Sequence, residues 1–239
     1  MWKRLLDVTE KPLRPNQLDV AISCENLAIC YSQQRKNAKA QPLFERALSI
    51  REKELKPNDP VVVQSLMSVA DCDIRLDKLA EAEQLFKRIL AIREKSLGPE
   101  DKDQYPAGLA PTLTSHTEQL PLDAPLFGLA DCYLREGKYA DAEPLFKRSL
   151  PISMKADRAN DPFLAGSLEG LALCYFHQGR IAEAEPLLKR SIALAKNSPT
   201  GQKEMTRMLD ALANCDIKEG KRAEAERLRK RLFSLTQQK

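Results

Sequence analysis

The sequence predicts an all-α fold, a solenoid of helix–turn–helix repeats. Strong helix formers dominate the 239 residues, which include only 9 glycines, and the alternating Val, Ile and Thr runs that strands need are missing. One block of sequence also recurs along the chain, which is the signature of a repeat protein. Because 43% of the residues are hydrophobic, the chain has enough apolar material to form a packed core.

A small alanine marks the repeat. It occurs at positions 28, 70, 130, 172 and 213, so the spacings are 42, 60, 42 and 41 residues. The period is therefore 42 residues, with 18 additional residues between the second and third units. In each unit a cysteine follows two positions after the alanine, as in Leu129-Ala130-Asp131-Cys132.

A second block follows the first at a fixed distance, and one copy reads Ala140-Asp141-Ala142-Glu143-Pro144-Leu145-Phe146. Both blocks space their apolar residues three and four apart, which predicts two helices per unit. Glycine between them, at Gly137, Gly179 and Gly220, suits the end of a helix. One unit cannot bury both apolar faces alone, so we expect the units to stack.

Proline and aspartate locate several helix ends. Asp59-Pro60 and Asp161-Pro162 each place a capping carboxylate before a proline at the first helical position. Prolines 42, 144 and 186 recur early in the second helix of their units. We expect them to lie where the backbone N–H has no intrahelical acceptor.

The repeats divide the chain as one continuous solenoid, residues 1–239. Residues 4–20 align with 46–62, which predicts that the chain begins inside a second helix, either as a fragment of a longer array or as a half-repeat cap. The expected bounds are 1–20 for this half repeat, 21–62 and 63–102 for repeats 1 and 2, 103–122 for an insertion, 123–164 and 165–205 for repeats 3 and 4, and 206–239 for repeat 5 with a C-terminal cap.

The pattern Leu129-Ala130, Tyr133, Gly137, Tyr139, Ala142, Phe146 and Leu150 resembles the tetratricopeptide repeat (TPR). The segments Ile50-Arg51-Glu52-Lys53-Glu54-Leu55 and Ile92-Arg93-Glu94-Lys95-Ser96-Leu97-Gly98-Pro99 are similar to the 42-residue kinesin light chain subclass. The resemblance implies a right-handed superhelix whose first helices line a concave groove that binds peptides.

We call the face of the first helices that the core does not use the stripe. Its residues are three and four apart and thus continuous along each helix. We expect the stripe to line the groove and to bind a protein or peptide partner. It comprises Glu25, Ile29, Gln33, Met67, Asp71, Arg75, Phe127, Asp131, Arg135, Glu169, Leu173, Phe176, His177, Asp210, Asn214 and Lys218.

The stripe has an alternative interpretation as a solvated face with ion pairs such as Asp71–Arg75 and Asp131–Arg135. The apolar members Met67, Phe127 and Phe176 favour the groove. One feature departs from the kinesin light chain pattern, which presents asparagines before the Leu-Ala of the first helix to bind the peptide backbone. In this chain Asn26 alone fits, and the other units have Ser68, Gly128, Gly170 and Ala211.

No constellation of residues predicts catalysis, a cofactor or a metal, so we expect no enzyme and no small-molecule substrate. Five of the six cysteines recur once per unit at one repeat position, and Cys24 takes a core position that is leucine in the other units. This is typical of small buried hydrophobes in a reducing compartment, the cytoplasm. Only His116 and His177 are present, at no metal-binding spacing. No run of 18 apolar residues predicts a membrane span.

The net charge of +4 is small for a nucleic-acid binder. Basic pairs such as Lys147-Arg148 recur, but Glu83, Glu143, Glu185 and Glu226 each precede the lysine by four residues, the favourable spacing for a surface ion pair. We therefore expect a protein-interaction scaffold. The alternatives are a regulatory module that packs on a catalytic domain of a larger effector and, third, a nucleic-acid binder.

Overall fold

The structure is a computed structural model, and it describes residues 16–96, 122–155, 162–195 and 201–236. The chain divides into two compact units, residues 1–121 and 122–239. Unit 1 contains α1 (Gln17–Gln33), α2 (Asn37–Glu54), α3 (Pro60–Arg75) and α4 (Leu79–Ser96). Unit 2 contains α5 (Asp123–Arg135), α6 (Tyr139–Lys155), α7 (Pro162–His177), α8 (Ile181–Ala195), α9 (Gly201–Lys218) and α10 (Arg222–Thr236).

The described residues form helices and no strands, which confirms the predicted all-α repeat fold. Within unit 1, α1 packs on α2, α2 on α3, and α3 on α4. Unit 2 continues the same order from α5 to α10, and α7 also contacts α5 and α9. None of the described helices combines the length and apolar character that crossing a membrane requires.

The recurring small and large apolar residues form the core, as the pattern predicts. Ala28, Ala70, Ala130, Ala172 and Ala213 are all 0% exposed, so nothing larger fits between the paired helices. The large residues of the second helices fill the remaining space, and they are Phe44, Phe86, Phe146 and Leu188. In unit 2 these side chains belong to one continuous apolar cluster. Stacking thus buries faces that a single helix pair would leave exposed.

Each pair of helices is joined by three residues, and the middle one has a positive φ. Gly137, Gly179 and Gly220 occupy this position with φ between 76° and 79°. Arg35 and Asp77 occupy it in unit 1, with φ of 58° and 60°. The sequence correctly predicts glycine at the helix end, but it gives no sign that the two remaining turns adopt the same conformation with a side chain present.

The prediction that the repeated prolines lie where the backbone N–H has no intrahelical acceptor is wrong. Pro42, Pro144 and Pro186 are each the sixth residue of their helix, and the first four N–H groups are the ones without an intrahelical acceptor. Each proline therefore removes one internal hydrogen bond. All three side chains are exposed, so the ring lies on the outer face and does not disturb the packing.

The predicted helix start at Asp59-Pro60 is confirmed, because the Asp59 side chain accepts a hydrogen bond from Val61 N at 2.9 Å. Pro162 begins α7 as expected, while Asp161 lies outside the described residues. Most of the half repeat and most of the insertion lie outside them as well. The bounds proposed for the repeats, and their union in one solenoid, stay predictions.

Candidate protein-binding surface

In unit 1 the stripe lies on the faces of α1 and α3 that are not buried in the core. Ile29 is 41% exposed, and Gln33, Asp71 and Arg75 are also exposed. Met67 is half-buried. Both helices turn their remaining faces inwards, with Cys24, Leu27, Leu66 and Val69 in the core. Alternate burial of this kind is what the helical spacing predicts.

Glu25 has a structural partner. Its Oε2 lies 2.7 Å from Nη2 of Arg51, a residue that is 4% exposed, and Nη1 of Arg51 donates to Ser65 Oγ at 2.6 Å. Arg51 thus connects α2 to the first helices on both sides. Because Arg51 needs this carboxylate to compensate its buried charge, Glu25 is not available to a ligand.

The stripe residues of unit 1 border a cleft between α1 and α3 of about 210 Å³. Four of its lining residues, Ile29, Gln33, Asp71 and Arg75, belong to the stripe. The others, found at the floor and rim, are Ser32, Phe44, Ser68 and Cys72. An apolar side chain, several neutral donors and both signs of charge therefore face one concavity.

Asp71 is the most perturbed group of this cleft. Although the residue as a whole is exposed, partial desolvation inside the cleft raises the pKa of its carboxyl to about 6, against a lowering by Arg75. Within the described residues, no hydrogen bond or ion pair reaches its carboxylate. Arg75 donates instead to Ser32 Oγ at 3.1 Å, across to α1. Asp71 thus faces the cleft with its hydrogen-bonding capacity unused.

The stripe of unit 2 begins with a phenylalanine that is held by other rings. Phe127 lies edge-to-face against Phe146 at 6.0 Å and Phe163 at 5.7 Å between ring centroids. It is half-buried and packs against the core cluster. Packing between α5, α6 and α7 therefore accounts for Phe127, whose presence alone does not indicate a ligand.

Two acidic members of the unit 2 stripe are already paired. Asp131 Oδ2 lies 2.8 Å from Nε of Arg135, the pair that the sequence suggests. Glu169 is 8% exposed, and its Oε2 lies 3.2 Å from Nη2 of Arg207. These two carboxylates are therefore occupied by internal contacts, in contrast to Asp71.

Aromatic and cationic side chains meet at the C-terminal ends of α7 and α9. The His177 ring stacks on Tyr139 at 4.2 Å, and Phe176 lies edge-on to His177 at 5.4 Å. The Lys218 ammonium lies 3.9 Å from the centroid of the Phe176 ring. Partial desolvation and the nearby Lys218 lower the pKa of His177. Leu173 and Asn214 are half-buried and Asp210 is exposed along the same helices.

Tyr139 is a member of this group that the stripe pattern misses. It belongs to the first turn of a second helix, and it reaches His177 of the next repeat. Its repeat position holds Asn37 in unit 1, which contacts Ser32 there. The other units carry Leu79, Ile181 and Arg222 at this position, so no recurring residue type in the sequence indicates it.

The missing asparagines of the first helices have a physical cause in unit 2. A Cβ added to Gly170 would lie 2.3 Å from the Phe146 ring, and one added to Gly166 would lie 2.7 Å from Phe127. These glycines let α7 approach the rings of α5 and α6 closely. The side chain of an asparagine at position 170 would occupy the space of the ring.

The lysines of three basic pairs form the surface ion pairs that the sequence suggests, which disfavours nucleic-acid binding. Lys87 lies 2.6 Å from Glu83 and Lys147 lies 2.5 Å from Glu143, and Lys189 pairs with Glu185 in the same way. Each of the three lysines therefore forms an ion pair with a glutamate one helical turn earlier on the same helix.

The six cysteines all remain thiols, and five are buried while Cys30 is half-buried. Burial raises the pKa of Cys174 to about 12 and that of Cys215 to about 11, so neither is a reactive thiolate. Among the described residues, no group of three or more side chains could hold a metal ion.

Comparison with known proteins assigns the family. The tetratricopeptide repeat family model matches residues 4–100 and 122–197, so the chain belongs to the tetratricopeptide repeat family. No curated protein matches the chain.

Solved structures show the same fold. The nearly identical TPR-like repeats of a Podosopora anserina protein named after kinesin light chain, in the Q17M form, match with a TM-score of 0.67 and 24% identity over 91% of this chain and 96% of that one. BtubC (BKLC) from P. vanneervenii matches with a TM-score of 0.71 and 18% identity over 98% and 88%. A Rap protein complexed with competence and sporulation factor matches with a TM-score of 0.65 and 14% identity over 98% and 58%. At these identities the likeness concerns the fold.

Proposed function

We propose that this protein is a non-catalytic scaffold that binds a peptide segment of a partner at the stripe, with the α1–α3 cleft of unit 1 as its principal site. One observation carries the proposal. Asp71 stands in this cleft with a raised pKa and no internal partner, beside an exposed isoleucine and an arginine. Glu25, Asp131 and Glu169, by contrast, are each occupied by an internal ion pair.

The cleft fits a peptide better than a small substrate. Ile29 offers an apolar contact, and Gln33, Ser32 and Ser68 offer neutral hydrogen-bonding groups of the kind that pair with a peptide backbone. Asp71 and Arg75 select side chains of opposite charge at neighbouring positions. The ligand-bound Rap protein is a neighbour in fold, which supports this class of function.

The location that suits six unmodified thiols is the reducing cytoplasm, and we propose it for this protein.

The test begins with a random peptide library displayed on phage and selected against the whole chain. Selected peptides are synthesised, and their dissociation constants are measured by fluorescence polarisation for the wild type, for Asp71→Asn and for Ile29→Ser. We expect Asp71→Asn to weaken binding about tenfold or more, since a charge-assisted hydrogen bond contributes about 1.5–3 kcal/mol. Ile29→Ser should weaken it to a similar extent, since burial of an aliphatic side chain contributes about 1.5–3 kcal/mol.

The matched control is Glu45→Gln, which changes an exposed carboxylate of the same unit on α2, away from the stripe. It should leave the dissociation constant unchanged. Selected peptides that bind both stripe variants as tightly as the wild type would remove the cleft as the binding site.

A further inference from the structure

A second cleft lies in unit 2, on another side of the helices from the stripe. It is formed by α8, α9 and α10 and has a volume of about 380 Å³. Asp216 on α9 lines it, two residues from the stripe residue Asn214 and so about 200° around the helix axis. The lining residues are Glu185, Lys189, Leu212, Asp216, Lys221, Glu224, Arg227 and Leu228.

Asp216 is a buried carboxylate without a donor. Its side chain lines the cleft, yet the residue is 4% exposed. Across the part of the chain that the structure describes, no hydrogen bond or ion pair to this carboxylate is present. Burial and Glu185 raise its pKa, while Lys221 and Lys189 lower it. The carboxylate opens on the cleft, so a donor from a ligand could form a charge-assisted hydrogen bond with it.

The equivalent residue of unit 1 has the hydrogen-bond donor that Asp216 lacks. Asp73 holds the same repeat position, and Gln41 Nε2 donates a hydrogen bond to its Oδ1 at 2.8 Å. In unit 2 the repeat position of Gln41 is occupied by Glu185, whose pKa is lowered to about 2 by hydrogen bonds from Lys189 and Lys221. An ionised carboxylate cannot donate, so the partner that satisfies Asp73 has no counterpart at Asp216.

The side chain at the equivalent position of the preceding repeat indicates the shape of a ligand that would fit the cleft. Tyr175 holds the position of Asp216 there, and its ring lies 4.0 Å from Arg180 Cζ and 5.6 Å from Lys147 Nζ. The repeat equivalents of those two cations are Lys221 and Lys189, which both line the cleft. The cations that flank a phenol ring in one repeat are therefore retained in the next, where the ring is absent.

The charge of the lining selects a neutral ligand. Three carboxylates and three cations line the cleft, with Leu212 and Leu228 as apolar surface. We infer that this cleft binds a tyrosine side chain of a partner protein, with the ring between Lys189 and Lys221 and the hydroxyl donating to Asp216. The site is independent of the stripe, so either can fail without the other.

The experiment titrates the ¹⁵N-labelled full chain with N-acetyltyrosinamide and follows the amide resonances by NMR. Saturable shifts are expected at residues 185–189 and 212–228. N-acetylphenylalaninamide, which lacks the hydroxyl, should bind about tenfold more weakly, as expected for a lost hydrogen bond to a charged group. Equal affinity for the two amides, shifts elsewhere only, or tighter binding of N-acetylargininamide would each overturn the inference.

Two variants test the assignment. Asp216→Tyr should fill the cleft from within, as Tyr175 does, and abolish the saturable shifts. Asp216→Asn preserves the shape and removes the charge, so it should weaken N-acetyltyrosinamide at least threefold. Asp141→Asn, an exposed carboxylate of α6 in the same unit that belongs neither to the stripe nor to the cleft, is the matched control and should bind as the wild type does. Unchanged binding by both Asp216 variants would exclude the cleft.

Discussion

Arg35 and Asp77 hold the left-handed backbone conformation that glycine holds in the three turns of unit 2. A side chain in this region costs free energy because Cβ crowds the following carbonyl, and aspartate tolerates it better than arginine. We therefore expect Arg35→Gly to raise the free energy of unfolding by about 0.5–1 kcal/mol, and Asp77→Gly to raise it less. Urea denaturation of the whole chain measures both.

The matched control is Gly179→Ala. No atom lies within 4 Å of the added Cβ, so a change in stability would come from the backbone conformation alone. It should lower the free energy of unfolding by about 1 kcal/mol. A destabilised Arg35→Gly variant would show that the arginine side chain makes a contribution larger than its backbone strain.

At Gly170, the absence of a Cβ atom lets α7 pack closely against the Phe146 ring. Gly170→Ala would place Cβ against the Phe146 ring at 2.3 Å, and we expect it to lower the free energy of unfolding by about 1–3 kcal/mol. Adding Phe146→Leu, the residue type of the equivalent position 188, should recover part of this loss. Additive effects of the two substitutions in urea denaturation would contradict the direct contact.

At the scale of elements, polar clamps join successive helix pairs. Glu143 of α6 accepts from Nη1 of Arg180 in the turn after α7, at 3.0 Å. Glu185 of α8 is linked likewise to Lys221 after α9 at 2.7 Å. In unit 1, Lys78 Nζ donates to Gln41 Oε1 at 2.9 Å, so the same contact is made with a neutral partner. The clamp fixes a turn of one repeat to the second helix of the repeat before it.

The clamp of Glu143 predicts a pH dependence. Hydrogen bonds from Lys147, Gln178 and Arg180 lower the pKa of Glu143 to about 2 from an ordinary value of 4.5. A carboxyl whose folded pKa is lowered stabilises the fold above the unfolded pKa, and this contribution is lost as the pH falls from about 4.5 towards 2. Glu143→Gln should therefore flatten the decline of the urea midpoint between pH 5 and 3.

The control for this experiment is Glu45→Gln, an exposed carboxyl of α2 that makes no clamp. Its urea midpoint should decline with acid as steeply as that of the wild type. If Glu143→Gln declines just as steeply, the clamp contributes nothing to acid sensitivity.

At the scale of the whole molecule, neighbouring helices determine how firmly each helix is held. In unit 2, α7 contacts α5, α6, α8 and α9, whereas α10 packs mainly on α9. Phe233 on α10 is 65% exposed, although its repeat equivalents Leu48, Leu90 and Ile192 are buried. Stability in a repeat stack is a sum of such nearest-neighbour contacts.

Native-state hydrogen exchange should therefore show a gradient within unit 2. We expect the amides of α7 to be the most protected and those of α10 to exchange through local opening at a lower free energy. Equal protection in both helices would mean that unit 2 unfolds as a single cooperative block.

The chain itself determines the helices, their order and their buried faces. A period of 42 residues, with alanine at the close contacts and a large residue at Phe44, Phe86 and Phe146, is visible without any structure, and the buried positions follow it. The partial or full exposure of every stripe residue except Glu169 follows too, because helical spacing fixes which side chains share a face.

The tertiary structure decided which of those residues remain available. Glu25, Asp131 and Glu169 look like Asp71 in the sequence, but each finds a cation, and the cation for Glu25 is 26 positions away on another helix. The unpaired carboxylate of Asp216 likewise depends on the residue across from it. That residue is a glutamate, whereas the equivalent Asp73 of unit 1 faces Gln41. Local spacing fixes the face of a helix, whereas the pairing of charges and the filling of space depend on residues distant in the chain.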